Sequence, residues 1–379
     1  VGVPQTPSPA MIPPLPSTLP PLLGVENGVW LKGDWHMHCR HSTDSSNNPQ
    51  SRIISFAEQF GFDYLAITDH DVHVQGAVAQ NTWADPEYTS ESVLLFYGAE
   101  LTAPRGHVNI LSAEPYDHQA IFDARNARDW DLLKLKQDLG IHWSANHPHH
   151  KNHYGFSFDL ADSVEIWNTS IWPKNIPSVR IWDDQLLSGR MLGARGGSDS
   201  HHGMPDDPAL IVPLTIERSG NYVGTPTTWI FAADRSKPAI LAALKQGRAS
   251  VSSNPYNPRV ELLADTTGAG QFDMMMGDNA IPTGAPVTFE VRLSGGGIPG
   301  ANYQVRVIKN RSDFATLLTD ATTRTVRFTD IPSPTDRSYY RVEIEGPQAP
   351  YPEVPNSMAQ SQNMVALSNP IYFNYDPEF

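Results

Sequence analysis

The chain has 379 residues, long for one domain, and 40% of them are hydrophobic, enough for more than one packed core. Against 27 Lys and Arg stand 41 Asp and Glu, a formal charge of −14 that repels polyanions and argues against long nucleic acid as a partner. The single cysteine, Cys39, leaves no internal disulfide, and no apolar run reaches the roughly 18–20 residues that span a bilayer.

Residues 1–26 hold eight prolines, all before Leu22. Proline fixes φ and lacks an N–H, so an extended arm without chemistry is expected. The chain opens at Val1 with neither a charged n-region nor an apolar h-region. With the Pro-rich arm, this leads to the expectation of an exported protein, periplasmic or secreted, whose signal peptide is absent from the chain.

From Val29 the pattern becomes strand, loop, helix, repeated. Val29–Leu31 runs into Asp34–His38 as extended chain, and Pro49 opens a helix whose stripe is Ile53, Ile54, Ala57 and Phe60, stopped by Gly61. Buried-type strands are expected at Asp63–Thr68, at Val93–Gly98 leading to Glu100, at His107–Leu111, at Ile141–Ala145 and at Val164–Trp167. A further strand, Met191–Ala194, runs to Asp199. Helices are expected over about 127–139, 177–188 and 237–246, with closing strands at Thr228–Ala232 and Arg248–Val251. After Pro258 helical periodicity stops. Short alternating runs at 259–262, 287–293, 303–308, 325–328 and 339–344, separated by Gly and Pro turns, read as a β-sandwich. The expected division is therefore an arm (1–26), an α/β unit (27–257) and an all-β unit (258–379).

All 14 histidines fall between His36 and His202, leaving the last 177 residues without one. They recur with carboxylates in short blocks: His36-Met37-His38, Asp44, Asp69-His70-Asp71, Glu100, His107, Asn146-His147, and Asp199-Ser200-His201-His202. Side chains alternate along a strand, so His36 and His38 share a face and Cys39 points the other way, as a small buried residue rather than a ligand. Most blocks follow strands, the edge that carries active sites in α/β barrels. Mixed nitrogen and oxygen donors suit Zn²⁺, Mn²⁺ or Fe²⁺ rather than a thiolate site.

The motif order over residues 29–255 resembles the polymerase and histidinol phosphatase (PHP) superfamily. The resemblance implies a distorted seven-stranded β/α barrel with two or three divalent metal ions. Carried over by position, His36, His38, Glu100 and Asp199 would hold a first ion, and Asp44, His70 and His201 a second. Glu100 would bridge to a third held by His107 and His147. Some relatives place His where this chain has Asp44, which leaves the metal number open. The tail segments Gly247–Ser253, Met276-Gly277-Asp278 and Ala366–Tyr372 resemble the CehA/McbA-type metallohydrolases, which follow the barrel with a β-sandwich and include carbamate hydrolases.

Two ions sharing a water would acidify it and polarise the ester oxygen, and a cationic pocket favours a small phosphate ester, a diester over a monoester. Arg195 is expected to reach the substrate oxyanion, His202 to donate a proton to the leaving group, and Asp69 to orient a ligating imidazole from behind. Arg105, His149 and Lys151 are weaker candidates for oxyanion contact. Two alternatives stay open: a carbamate or ester hydrolase on the same fold, and a non-catalytic metal-binding barrel with a β-sandwich binding module.

Overall fold

The computed structural model describes residues 27–46, 48–149, 154–201, 221–319, 322–351 and 363–379. The Pro-rich arm, Lys151 and His202 lie outside the described residues. The architecture is mixed α/β, with a large central sheet and few helices.

The first half runs β1 (Val29–Asp34), α1 (Gln50–Gln59), β2 (Tyr64–Ile67), β3 (Leu94–Ala103), β4 (Gly106–Ser112), α2 (His118–Ala124), α3 (Asp129–Leu139), β5 (His142–Ala145), β6 (Ser163–Asn168), α4 (Ile176–Ser188), β7 (Gly193–Gly197), β8 (Thr227–Ala232), α5 (Lys237–Gln246) and β9 (Ala249–Ser252). α1 buries Ile53, Ile54, Phe56 and Ala57 in one cluster with Leu65 and Ile67 of β2, which is why its apolar stripe was legible. α5 lays Ile240, Ala243 and Leu244 against Leu31, Tyr64 and Ile230 of the sheet.

Strands β1 to β7 lie side by side in chain order. Neighbours β1–β2–β3 and β5–β6–β7 are parallel, but β3–β4 and β4–β5 are antiparallel. The strict strand-and-helix alternation expected from the sequence therefore fails in the middle. Pro104 and Arg105 alone separate β3 from β4, too few residues for a crossover helix, so the chain must turn back on itself. At the far side the chain beyond β7 returns to the chain beyond β1. Asp199 N–H donates to His36 O (2.8 Å), and His38 N–H donates to Ser200 O (2.9 Å). Buried Asp34 clasps this junction, accepting from Ser198 N (3.1 Å), His36 N (3.2 Å) and Gly224 N (2.8 Å).

The second half is strand only among the described residues: β10 (Arg259–Asp265), β11 (Met274–Met275), β12 (Asn279–Ala280), β13 (Val287–Ser294), β14 (Gln304–Lys309), β15 (Ser312–Leu318), β16 (Thr325–Asp330), β17 (Ser338–Glu345), β18 (Met364–Ser368) and β19 (Ile371–Phe373). β11–β10–β13–β16 make one sheet, while β12, β14, β15, β17, β18 and β19 extend the large one. One core joins the two, with Val260, Phe289 and Val291 meeting Val305, Tyr340, Val342 and Phe373. β18 pairs directly with β9, and the Asn369 amide bonds to Ala194 N and O and to Ala249 O. Arg341 grips Asp183 of α4 through Nε (3.0 Å) and Nη2 (2.8 Å). The all-β half is thus knitted into the sheet that carries the histidines.

Candidate metal centre

Alternation beyond β1 sends Met37 and Cys39 into the α1 cluster and turns His36 and His38 to the opposite face, their ring centroids 5.3 Å apart. His70 follows β2, Glu100 lies within β3, His107 within β4, and His147 follows β5. Asp199 and His201 follow β7. His147 (φ 24°) and Asp199 (φ 51°) are non-glycine residues held at positive φ, a strain that costs about 1–3 kcal/mol and concentrates at functional sites.

The structure brings all nine sequence-predicted donors together around Glu100. Its Oε1 lies 3.1 Å from His107 Nδ1 and 3.3 Å from both His36 Nε2 and His147 Nε2. Its Oε2 lies 2.9 Å from His70 Nδ1 and 3.5 Å from His38 Nε2. Asp199 Oδ1 is 3.0 Å from His38 Nε2 and 3.3 Å from His36 Nε2. Asp44 Oδ2 faces His201 Nε2 (3.3 Å) and His70 Nε2 (3.5 Å). Four overlapping triads each keep their donor atoms within 4.8 Å: His38/His70/His201, His36/His38/Glu100, His36/His147/Asp199 and His70/Glu100/His107. A tetrahedral ion with bonds of ~2.0–2.1 Å needs ligand edges of ~3.3 Å, the spacing seen here.

Two buried atoms test the fit further. His36 Nε2 and Glu100 Oε2 have no hydrogen-bond partner of acceptable geometry, although Oε2 sits close to His70. His70 Nδ1 is aimed instead at Thr102 Oγ1 (2.8 Å). Buried polar atoms are seldom left unpaired, and a cation satisfies both. The residues present therefore fit divalent ions. Asp44 is 41% exposed, so the cluster opens to solvent on its side.

The ligating nitrogens are set by what the other ring nitrogen touches. His36 Nδ1 donates to Glu165 Oε1 (2.9 Å), and His201 Nδ1 donates to Asp199 O (2.8 Å). His38 Nδ1 faces Ser42 Oγ (3.3 Å), whose hydroxyl donates to Asp69 Oδ1 (3.1 Å). Each arrangement turns Nε2 toward the cluster, where it would be the atom that ligates. Asp69 was expected to accept from an imidazole itself. It acts one bond further back, its oxygens accepting from Ser42 Oγ, Cys39 N (2.7 Å), Cys39 Sγ (2.9 Å) and Thr82 Oγ1 (2.7 Å).

Arg195 corrects a second expectation. It is fully buried, and its guanidinium bonds to Ser144 Oγ, Glu165 Oε1 and Asn146 Oδ1 instead of facing a substrate oxyanion. Arg105 pairs with Asp129 over the Phe156 ring, and His149 Nδ1 bonds to Ser178 Oγ. His41, His118 and His142 bond to Asp85, Asp71 and Ser163, outside the cluster. Sequence reasoning missed Glu165 and Asn168, and quoted Asn146 only as the neighbour of His147. Glu165 carried a signal, as the lone carboxylate of the apolar strand Ser163–Asn168.

Burial alone would push the Glu100 and Asp199 carboxyls up, but the surrounding imidazoles hold both well below the usual range, His36 foremost. Burial, His201 and His70 press His38 down to about 3. Burial opposes protonation of His70, yet Glu100 and Asp44 raise it to about 10. The carboxylates thus draw in positive charge, as protons on some imidazoles when no metal is bound. His70 has its pKa raised, so at neutral pH it carries a proton that a metal must displace, and affinity should climb as pH rises toward about 10. Adding Zn²⁺ to metal-free protein at pH 7 in weak buffer should acidify an indicator dye by one proton or more per chain. No acidification would contradict this charge balance.

No protein-family model and no curated protein matches the chain. Among solved structures, it is similar to a two-domain protein from Bacteroides vulgatus containing a predicted PHP-like metal-dependent phosphoesterase. The match covers 84% of this chain and 92% of that chain, at 15% identity and a TM-score of 0.40. A likeness that distant says nothing about the chemistry of this chain.

Proposed function

We propose that the chain is a metal-dependent hydrolase of small esters, a phosphoesterase that prefers diesters, with two or three divalent ions at the Glu100 cluster. The observation that carries this is the convergence of nine nitrogen and carboxylate donors, eight of them in overlapping triads and Asp44 beside His201 and His70, with His36 Nε2 and Glu100 Oε2 buried without a hydrogen bond. The motif order that resembles the PHP superfamily supports it. So does the return of the chain beyond β7 to the chain beyond β1, which we take as closure of a distorted seven-stranded barrel.

His36, His38, Glu100 and Asp199 would hold one ion, Asp44, His70 and His201 a second, and His107 and His147 with Glu100 a third. Divalent ions in such a cluster acidify water toward neutrality and polarise a phosphoryl or carbonyl oxygen. The chain's own part is to fix those donors, keep the inner wall dry and leave the Asp44 side open. In this reading the ions would meet most of the charge of the substrate, because among the described candidates Arg195 is buried in a pair with Glu165 and Arg105 is paired with Asp129. A diester, with one negative charge, makes the smaller demand.

The withdrawal of Arg195 also favours a second reading, a carbamate or carboxylic ester hydrolase, since a neutral substrate needs no basic side chain. Metal-loaded protein assayed with a nitrophenyl phosphodiester, the matching monoester and an aryl carbamate separates the two. Diester turnover above the others supports the phosphoesterase. Efficient carbamate turnover beside negligible diester turnover overturns it in favour of the second reading.

A further inference from the structure

We infer that Arg195 is the positioning residue of the centre, holding His36 through Glu165 and Glu100 through Asn146. The inference rests on the metal-centre reading above.

The side chain sits at the foot of the cluster, and its planar fork sends N–H groups in three directions. Nε donates to Ser144 Oγ of β5 (2.6 Å), Nη1 to Glu165 Oε1 of β6 (2.8 Å) and Nη2 to Asn146 Oδ1 just past β5. Each acceptor but Ser144 passes the constraint to a donor. Glu165 Oε1 takes His36 Nδ1–H (2.9 Å), while Oε2 takes the His147 backbone N–H (3.0 Å) and Asn168 Nδ2 (3.1 Å). Asn168 Nδ2 reaches Asp199 Oδ2 (3.3 Å) as well. Asn146 Nδ2 donates to Glu100 Oε1 (2.9 Å) and to Asn109 Oδ1 (2.8 Å). Ser144 Oγ is itself held by Ser163 Oγ (2.9 Å), which in turn contacts His142 Nε2 (2.8 Å).

Arg195 thus stands behind His36, His147, Glu100 and Asp199. It does not stand behind the Asp44 side. There His38 is set by Ser42 and Asp69, and His70 by Thr102, whose backbone N–H is held by Asp71 (3.0 Å). The centre has two supporting networks, one for each edge. A buried ion pair is weak evidence for stability by itself, because apolar packing does as well. What the Arg195–Glu165 pair adds is direction. Glu165 holds His36 with Nδ1 protonated and Nε2 bare, the form a cation requires. Lysine keeps the charge but has one point of contact and cannot serve three divergent acceptors.

The test is competitive titration of metal-free protein with Co²⁺ against a chromophoric chelator, read together with the Co²⁺ absorption spectrum and circular dichroism. Arg195→Lys should weaken one class of site about 10–100-fold, with an altered spectrum, while the remaining ion binds as in the wild type. Should Arg195→Lys fail to fold, the isosteric Glu165→Gln carries the same expectation, because it removes the charge that pairs His36 with Arg195. Folded variants that bind every ion with wild-type affinity and spectrum overturn the inference alone. Uniform loss of all sites also overturns it, since that marks a general structural role. A wild-type chain that takes up no Co²⁺ overturns the metal-centre reading and the inference with it.

Discussion

Glu100→Gln should strip at least one metal from each chain and lower ester hydrolysis by about 100-fold or more, in line with the cost of removing an electrostatic anchor from a dry site. Glu100 is 1% exposed and lies within 3.5 Å of His36, His38, His70, His107 and His147. Glutamine keeps the shape, so packing is preserved. One carboxylate oxygen becomes an NH₂ that cannot ligate, and the candidate ligand set loses one of its three carboxylates, Asp44, Glu100 and Asp199. Elemental analysis after desalting, with circular dichroism to confirm folding, reads the result. Full metal retention by a folded variant would remove Glu100 from the centre.

Gly197→Ala is expected to damage both stability and metal binding through a single methyl group. A Cβ there would lie 2.3 Å from Glu165 Oε1, 2.5 Å from His36 Cβ and 3.0 Å from Arg195 Nη1. These groups are fully buried and held from several sides, so none can move without breaking the Glu165 contacts. Overpacking of this kind costs about 1–3 kcal/mol, and here it also displaces a ligand. Urea unfolding of the metal-free variant should show that loss, and the metal-loaded variant should bind at least one ion more weakly. Wild-type stability and affinity together would mean that the strand ends have room the contacts deny.

The clustering of these residues was legible because their signal is local: His-x-His in extended chain just past β1, and His70 and His147 two or three residues past the apolar strands β2 and β5. Their convergence follows from strands aligned side by side. The Arg195–Glu165 pair was not legible, although both residues stand in fully buried strands. They are direct partners in the β6–β7 register, and register is set by three-dimensional pairing that a single sequence does not reveal. Read alone, Arg195 between small residues looks like a free cation beside a site. The antiparallel middle was hidden for a related reason, because strand direction depends on the turn between Ala103 and Gly106 and not on the strands. α2 escaped because seven residues, five of them His, Gln, Asp and two Ala, give too short a stripe for periodicity. β15 escaped because it is an edge strand paired only with β14, exposed along much of its length.

On the proposed reading the Glu100 cluster is a multinuclear metal centre. Its most direct test is the metal content of wild-type protein loaded with Zn²⁺, Mn²⁺ or Fe²⁺ and then desalted. Two or three tightly held ions per chain are predicted, and a chain that retains none of the three metals would contradict the account.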